Sequence, residues 1–336
     1  MAGTKFLIEF TCPMAPGDVL TVTALVRDFK LAYPHCEIDV KSPFMDSIWR
    51  HNPYLTTLSA RDPAVRIVPY VYLEEMKQSQ SGTRLHYVTA PHRAFQRLTG
   101  VRVPCRFPKG DLHLTDEEKA RPRISGRYWI VVPGGKTDIT CKIWPKEKWQ
   151  SLVDQLRPWG LRFAQEGCLK PMHMHPPLQN ALNLVGLTTQ RDLMVNIYHA
   201  EGVICGVTYQ MHLAAALDKP CVVIAGGREE AHWEHYHNGG NFGPDCAPVK
   251  VPHRFLHTIG SLPCCKVHGC WMRRVVPLRD NRPMYDKDLC HQPVRQPDRE
   301  PVPQCLAMIE PSHVAEAVMS YYTDGTLPPP VVEKHA

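Results

Sequence analysis

The sequence of 336 residues lacks several features that would place it in a simple class. No uninterrupted apolar run approaches the roughly 18 residues that cross a bilayer, which excludes a membrane-spanning helix. Lys and Arg form no block longer than pairs such as Arg273-Arg274, and the formal net charge is +6, so no nucleic-acid partner is expected. Glu9 interrupts the first apolar stretch before it reaches the length of a secretory signal, and we therefore expect a cytoplasmic protein.

Two familiar nucleotide-binding loops are also missing. Neither G-x-G-x-x-G nor a Walker loop occurs in the chain. A bound nucleotide would therefore be held by less specific turns at strand ends.

Apolar runs alternate with stretches of helical periodicity over most of the chain. Strands are predicted at residues 5–10, 37–40, 66–70, 128–132, 161–164, 202–205 and 221–225. Helices are predicted at residues 19–31, 146–156, 190–199, 209–217 and 313–322. This alternation predicts an α/β fold with parallel sheets.

A polar stretch from Pro108 to Arg127 separates two α/β series. The sequence therefore predicts two Rossmann-like domains, which we expect to face a cleft, followed by a cysteine-rich extension and a C-terminal helix with its tail. The predicted boundaries are 1–120, 121–260, 261–308 and 309–336. Ligands in such sheets bind beyond the carboxyl ends of the strands, so the loops after strands are the places to search for chemistry.

A carboxylate follows the first predicted strand, where Gly17 and Asp18 open the first helix. The Asp18 carboxylate can accept backbone N–H bonds at the positive end of that helix, which suits an ionised general base. An ordinary capping aspartate satisfies the same pattern, so the residues alone leave both roles open. We also expect Gly17, next to Asp18 at the same turn, to be a ligand-binding residue.

The second series carries further candidates at its strand ends. Lys142 precedes a helix, where its charge could neutralise a diphosphate or simply face solvent. Thr208 can cap the next helix and leave free N–H groups for an anion, and His212 on that helix is either an interior histidine or a site residue. The last strand ends in Gly226, Gly227 and Arg228, where backbone could approach phosphates closely.

Three of these segments together resemble the family 9 glycosyltransferases, the ADP-heptose-dependent heptosyltransferases. They are Ala15–Val19, Lys142–Pro145 and Val207–Leu217, and the resemblance runs in order over roughly residues 5 to 235. It implies a GT-B fold in which the C-terminal half holds the nucleotide sugar. It also implies that Asp18 is the general base that deprotonates the acceptor hydroxyl, and that Lys142 lies near the donor diphosphate. Thr208, Tyr209 and His212 would belong to the helix start that faces the phosphates.

The chain departs from the family pattern at one position. The family has an aspartate before the threonine of the last motif, whereas Val207 stands here. That carboxylate ordinarily contacts the donor, so donor identity stays open at this point. Glu229 and Glu230 are nearby carboxylates that could substitute for it.

The chain has 13 cysteines, and eight of them, Cys141 included, are scattered singly, several inside apolar runs, and are interpreted as buried core residues. Others cluster in a Pro- and Arg-rich C-terminal stretch without apolar periodicity. From the residues alone, a metal site there and unpaired surface thiols are equally compatible with the spacing. A metal could stabilise a segment that has no core of its own.

This cysteine pattern resembles the four-cysteine metal finger of the bacterial autotransporter heptosyltransferases, which glycosylate proteins. The resemblance implies structural iron, with zinc as the alternative, and no catalytic metal. The implied ligands are Cys265, Cys270, Cys290 and Cys305, with Cys264 as an alternative to Cys265.

Together these observations predict an inverting glycosyltransferase that moves a heptose or related sugar from a nucleotide-diphosphate donor. The expected partners are the nucleotide sugar and a protein or glycan acceptor, and a homo-oligomer is compatible with the resemblance. Val207 favours one alternative, a non-catalytic binding protein that carries the metal finger on a degenerate transferase scaffold.

Overall fold

The computed structural model describes residues 3–11, 14–42, 45–71, 74–75, 84–296 and 299–330. The chain folds into two compact units. Unit 1 comprises Met1–Arg121, Ala215–Asp218 and His232–Pro252. Unit 2 comprises Pro122–Ala214, Lys219–Ala231 and His253–Ala336. None of the described helices is both long and apolar enough to cross a membrane.

In the first third of the chain, the described residues include three strands and four helices. They are β1 (Lys5–Phe10), α1 (Pro16–Ala32), β2 (Glu37–Lys41), α2 (Asp46–Trp49), β3 (Val65–Tyr70), α3 (Ala90–Thr99) and α4 (Asp116–Ala120). The strands form a parallel sheet in the order β2-β1-β3, with Lys5 opposite both Glu37 and Val65. The α/β prediction is confirmed for this unit.

The core of unit 1 is built on aromatic residues from three elements. Phe6 of β1, Phe29 of α1 and Phe95 of α3 are buried and meet edge to face, with ring centroids 5.3 to 5.7 Å apart. This geometry aligns the positive ring edges with the negative ring faces. It fixes α1, and with it the position of Asp18, against the sheet.

The described residues after position 121 add ten strands and six helices. They are β4 (Trp129–Val132), β5 (Gly135–Lys136), α5 (Lys146–Leu156), β6 (Phe163–Gln165), β7 (His173–Met174), β8 (Leu182–Asn183), α6 (Gln190–His199), β9 (Gly202–Gly206), α7 (Tyr209–Ala216), β10 (Cys221–Gly226), α8 (Ala231–Glu234), β11 (Arg254–His257), β12 (Pro293–Gln296), β13 (Arg299–Pro303), α9 (Gln304–Ala307) and α10 (Pro311–Thr323). A short turn of 3-10 helix, Thr137–Lys142, lies between β5 and α5.

Unit 2 contains a parallel sheet of six strands in the order β11-β10-β9-β4-β6-β8. The chain runs outward from β4 through β6 to β8 and then returns to place β9 on the other side of β4. The order of the strands therefore reverses between β4 and β9. In doubly wound sheets the ligand crevice lies at this reversal, beyond the carboxyl ends of the two strands.

The C-terminal helix α10 packs within unit 2. The Tyr321 hydroxyl donates to the carbonyl oxygen of Cys221 at 3.1 Å and accepts from its backbone N–H at 3.3 Å. Trp129 Nε1 donates to the Tyr322 hydroxyl at 2.6 Å. These bonds join α10 to β4 and β10 of the large sheet, so the helix covers part of one face of that sheet.

Candidate functional site

Asp18 lies at the first βα turn of unit 1, as the third residue of α1. Its Oδ2 accepts the backbone N–H of Ala15 at 3.3 Å, which is the capping role that the sequence allows. Its Oδ1 accepts a hydrogen bond from the buried Tyr87 hydroxyl at 2.5 Å. The carboxylate is half-buried, so one oxygen caps the helix while a second contact orients the other.

Two tyrosine side chains lie near this carboxylate, Tyr87 in contact with it and Tyr70 within reach of its charge. The Tyr87 ring packs against Trp233 with a centroid distance of 5.1 Å. Burial, followed by the negative charges of Glu75 and Asp18, holds the pKa of the Tyr70 hydroxyl well above its usual value. The phenol therefore stays neutral at physiological pH, which leaves Asp18 as the acidic group of this turn.

Lys142 lies at the strand reversal of unit 2, as the last residue of the turn Thr137–Lys142. Its Nζ donates to the carbonyl oxygen of Val207 at 3.1 Å, directly after β9. It also lies 2.7 Å from Oε1 of Glu229, which follows β10. The structure therefore brings the turn before α5 together with residues that follow β9 and β10, as expected for a site at this edge of the sheet.

Position 207 lacks the expected carboxylate, but the Glu229 carboxylate lies close by, since Lys142 contacts both residues. Glu229 is fully buried, and its Oε1 contacts both Lys142 and the Arg228 guanidinium. Its Oε2 has no hydrogen-bond partner among the described residues. Glu230 instead accepts the backbone N–H of Gly269 at 3.1 Å. Of the two carboxylates, only Glu229 therefore lies beside the predicted cation.

The start of α7 departs in detail from the expected cap. The Thr208 hydroxyl donates to Oε1 of the Gln210 side chain at 2.8 Å. The Tyr209 hydroxyl has no hydrogen-bond partner in the described part of the chain, and burial raises its pKa. Burial, followed by the positive charge of Lys142, lowers the pKa of His212 to about 3, so this buried imidazole is neutral.

Gly226 and Gly227 approach the C-terminal segment closely. A Cβ on Gly227 would lie 2.7 Å from Cys265 Sγ, and one on Gly226, where φ is +66°, would lie 2.8 Å from Leu306 Cδ2. Arg228 Nε donates to the carbonyl oxygen of Met272 at 2.6 Å. Close packing against the C-terminal segment therefore explains why glycine occupies these two positions. The contact of these glycines with phosphates stays a prediction.

Six cysteines line one small cavity of about 10 Å³ in unit 2. They are Cys141, Cys264, Cys265, Cys270, Cys290 and Cys305. The predicted quartet is thus gathered in one place, together with Cys264. The sixth, Cys141, comes from the turn before α5, and sequence reasoning assigned it to the core because it stands alone in the chain. The neighbouring Cys141 thiol lowers the pKa of Cys290 to about 7.

The donor set of this cavity suits a thiophilic metal, since thiolates are preferred ligands of iron and zinc. Within the described ranges, however, the only group whose ligand atoms lie within 4.8 Å of one another is Asp28, His92 and Cys105 in unit 1. Arg27 Nε donates to Asp28 Oδ1 at 2.9 Å, and His92 Nε2 lies 3.0 Å from Asp28 Oδ2. The Asp28 oxygens are therefore already committed to a buried hydrogen-bond network.

Sequence reasoning also missed Glu166, which directly follows β6. Burial raises its pKa, and its two oxygens accept from Thr188 at 2.6 Å and from Asn196 at 2.8 Å. A charged residue directly after an apolar strand was the available signal.

The comparison with known families decides the class. A model of glycosyltransferase family 9 (heptosyltransferase) matches residues 61–241, which is more than half of the chain. The chain belongs to glycosyltransferase family 9. It is therefore a glycosyltransferase, related to the heptosyltransferases, and the resemblance that the sequence motifs predicted is confirmed at this level. No curated protein matches the sequence significantly.

Solved structures agree with the fold of this family 9 glycosyltransferase. A family 9 glycosyl transferase from Veillonella parvula DSM 2008 matches with a TM-score of 0.59 at 12% identity, covering 96% of this chain and 98% of that chain. The E. coli ADP-heptose lps heptosyltransferase II matches with a TM-score of 0.53 at 17% identity, covering 96% and 100%. TibC, an iron-containing dodecameric glycosyltransferase from enterotoxigenic E. coli H10407, matches with a TM-score of 0.57 at 15% identity, covering 96% and 77%.

The family match contains part of the predicted site. Lys142, Thr208 and Gly227 lie within residues 61–241, whereas Asp18 and the C-terminal cysteines lie outside them. The family membership therefore bears most directly on the half of the site at the strand reversal of unit 2.

Proposed function

We propose that this family 9 glycosyltransferase transfers a heptose from ADP-heptose to a hydroxyl group of a protein or glycan, with inversion at the anomeric carbon. The position of Lys142 carries the proposal. Its ammonium group contacts the end of β9 at the strand reversal of the large sheet, which is where a diphosphate binds in folds of this type.

In the proposed reaction Asp18 removes the proton from the acceptor hydroxyl, and the oxygen attacks the anomeric carbon. The bond between that carbon and the diphosphate oxygen breaks, and ADP leaves. Lys142 and the backbone N–H groups at the start of α7 stabilise the charge that develops on the diphosphate. Tyr87 is a positioning residue, because its hydroxyl holds Oδ1 of Asp18.

The cysteine cavity supports a second part of the proposal. We infer that it binds one structural iron, or zinc, through Cys265, Cys270, Cys290 and Cys305. When bound, the metal supplies cross-linking free energy to a segment of irregular structure, and it takes no part in the sugar transfer. The support is the donor set itself, since the cavity is lined by six thiols.

The test measures ADP release from ADP-heptose and, separately, ADP binding by calorimetry. Asp18→Asn should lower turnover by roughly 100-fold or more while ADP affinity is retained, because loss of a general base slows the chemical step. Asp116→Asn is the matched control, since Asp116 also lies in the first turn of a helix of unit 1 but is fully exposed. Normal turnover by Asp18→Asn would refute the assignment of the base.

Lys142→Met should instead weaken ADP binding, since the interaction with the diphosphate is electrostatic. Lys146→Met is the control, because Lys146 is an exposed lysine four residues further along the chain. If neither ADP-heptose nor ADP binds the wild-type protein, the binding protein on a degenerate scaffold becomes the better description.

A further inference from the structure

We propose that Cys105 and Cys246 form a reversible disulfide when the protein meets hydrogen peroxide, and that this bond fastens the segment His232–Pro252 within unit 1. Both residues belong to unit 1, and both are free cysteines in the structure. The inference stands apart from the proposed sugar transfer and the proposed metal site, because neither cysteine is assigned to them.

The two thiols are in contact, although their residues lie 141 positions apart in the sequence. Cys105 Sγ and Cys246 Sγ are 4.0 Å apart. One residue further along each stretch, the backbone N–H of Ala247 donates to the carbonyl oxygen of Arg106 at 2.8 Å. A disulfide needs Cα atoms within about 7 Å and sulfur atoms about 2 Å apart. Because the backbone holds the two stretches side by side, the bond requires mainly rotation of the two side chains.

The surroundings of the pair also suit a disulfide. Cys105 packs with Ala24, Val88 and Phe242 in a buried apolar cluster, and Cys246 lies against this cluster. A disulfide carries neither a charge nor a hydrogen-bond donor, so it leaves no polar group to be satisfied in such a place. A sulfenic or sulfinic acid on a single cysteine would instead place polar oxygen atoms beside apolar side chains. The cluster therefore favours pairing of two sulfur atoms over oxidation of one.

A second thiol pair shows why proximity alone is insufficient. Cys205 Sγ and Cys221 Sγ are 3.9 Å apart on adjacent parallel strands, but both residues are 0% exposed. Cys246 is half-buried and thus open to a small oxidant, and its hydrogen bond with the Cys105 thiol lowers its pKa. Exposure and thiolate character are the two properties that make a cysteine sensitive to peroxide. Cys246 is therefore the thiol that reacts first, and Cys105 is the thiol that resolves it.

The chemistry balances with hydrogen peroxide as the oxidant. The Cys246 thiolate attacks one peroxide oxygen and the O–O bond breaks; hydroxide leaves and takes up a proton, which gives a sulfenic acid and one water. The Cys105 sulfur then attacks the sulfenic sulfur, the S–O bond breaks, and the Cys105 proton leaves with the hydroxide as a second water. Two thiols and one peroxide thus give one disulfide and two waters. A dithiol reductant restores both thiols by exchange.

The new bond would fasten a segment that contacts the rest of unit 1 through hydrogen bonds and aromatic packing. The carbonyl oxygen of Asn241 accepts the N–H of His86 at 2.9 Å. The His86 ring lies 4.6 Å from the ring of Tyr236 and 4.7 Å from that of Phe242, measured between centroids. Contacts of this kind open and close locally. A covalent link removes many of the open states, so amide exchange in the segment should slow by roughly tenfold or more on oxidation.

The restraint extends toward the proposed base. Trp233, near the start of the same segment, packs against Tyr87, whose hydroxyl contacts Asp18 Oδ1. Oxidation therefore bears on the setting of Asp18 without modifying any residue that is proposed to touch a substrate. This consequence alone rests on the proposed function.

The experiment treats the full-length protein with hydrogen peroxide, blocks the remaining thiols with N-ethylmaleimide in urea and digests with trypsin. The tryptic peptides 103–106 and 229–250 each contain one cysteine, Cys105 and Cys246 respectively, so their cross-linked product identifies the bond by mass. We expect this product in the wild-type protein, its loss after dithiothreitol, and its absence in Cys246→Ser and Cys105→Ser. Cys205→Ser is the matched control for loss of a buried thiol and should form the product at the wild-type rate.

Oxidation of Cys246 to a sulfinic acid without the cross-linked peptide would overturn the inference, as would a disulfide between Cys246 and any other cysteine. Equal formation of a bond between Cys205 and Cys221 would refute the selection by exposure. If Cys105→Ser does not fold, loss of the free Cys105 thiol is compared in the wild-type protein and Cys246→Ser. It should be roughly tenfold or more slower in the variant, and an equal rate would contradict pairing. Unchanged hydrogen exchange of the segment after oxidation would refute its fastening.

Discussion

Acidification should destabilise unit 2 through one buried imidazole. His212 is 6% exposed, and burial, followed by the charge of Lys142, lowers its pKa to about 3. In the unfolded chain a histidine titrates near pH 6.5. Between these two values the unfolded state binds a proton that the folded state does not, so the free energy of unfolding falls as the pH is lowered through this window. Above about pH 6.5 both states are neutral, and the contribution is constant.

The magnitude follows from the two pKa values. Below the unfolded pKa the loss is about 1.4 kcal/mol per pH unit, which amounts to about 2 kcal/mol between about pH 7 and pH 5. Urea unfolding of the wild-type protein and of His212→Gln at these two pH values measures it. The wild-type protein should lose about 2 kcal/mol more than the variant, because the glutamine has no proton to bind.

His35→Gln provides the matched control, since His35 is exposed. Its loss of stability on acidification should equal that of the wild-type protein. The reasoning is refuted if the wild-type protein and His212→Gln lose the same stability between the two pH values, because the acid sensitivity would then originate elsewhere.

Three further substitutions probe the packing described above, each measured by urea unfolding followed by circular dichroism. Phe29→Ala removes the fully buried centre of the aromatic core in unit 1 and should cost about 3–5 kcal/mol; a smaller loss would mean that the core collapses around the gap. Tyr321→Phe leaves the backbone of Cys221 without its hydroxyl partner and should cost about 1–3 kcal/mol; an unchanged stability would show that α10 is held by apolar contacts alone. Gly227→Ala forces a methyl group to 2.7 Å from Cys265 Sγ. The overpacking should cost about 1–3 kcal/mol, and a neutral result would show that the C-terminal segment yields.

The regular elements of both units follow from local patterns. The strand at residues 5–10 and the helices at 146–156 and 190–199 have the predicted bounds. Burial imposes a regular spacing of apolar residues on such segments. This spacing can be detected without tertiary information. The short edge strands β8 and β11 were not predicted, because their pairing depends on a neighbouring strand rather than on their own sequence.

The sequence patterns also did not predict where the chain goes back from unit 2 to unit 1. The segment His232–Pro252 belongs to unit 1, although it follows β10 in sequence. Phe242 from this segment packs with Val88 and Ala24 in the core of unit 1. Nothing in the local composition of the segment separates it from an ordinary loop of unit 2. The chain passes from unit 1 to unit 2 after Arg121 and returns to unit 1 at Ala215 and again at His232.

The site shows the same division between local and non-local information. Motif positions indicated Lys142 and the start of α7, because both follow predicted strands. The contact between Lys142 and Val207 depends on β9 lying next to β4, which the order of strands along the chain does not reveal. The presence of Cys141 in the cysteine cavity is non-local in the same way, since it lies 123 positions before Cys264 (264 − 141 = 123).

The substitution of Val207 for the family aspartate can be understood from the sheet. β9 and β10 are adjacent parallel strands, so a carboxylate after β10 reaches the same edge as one after β9. Glu229 uses this route to place its charge beside Lys142, while the Arg228 guanidinium contacts the same oxygen. The two cations share one carboxylate, so these three side chains together carry a net charge of +1 (2 − 1 = +1). A buried carboxylate thus contacts both basic side chains without cancelling the positive charge that the proposed diphosphate site would use.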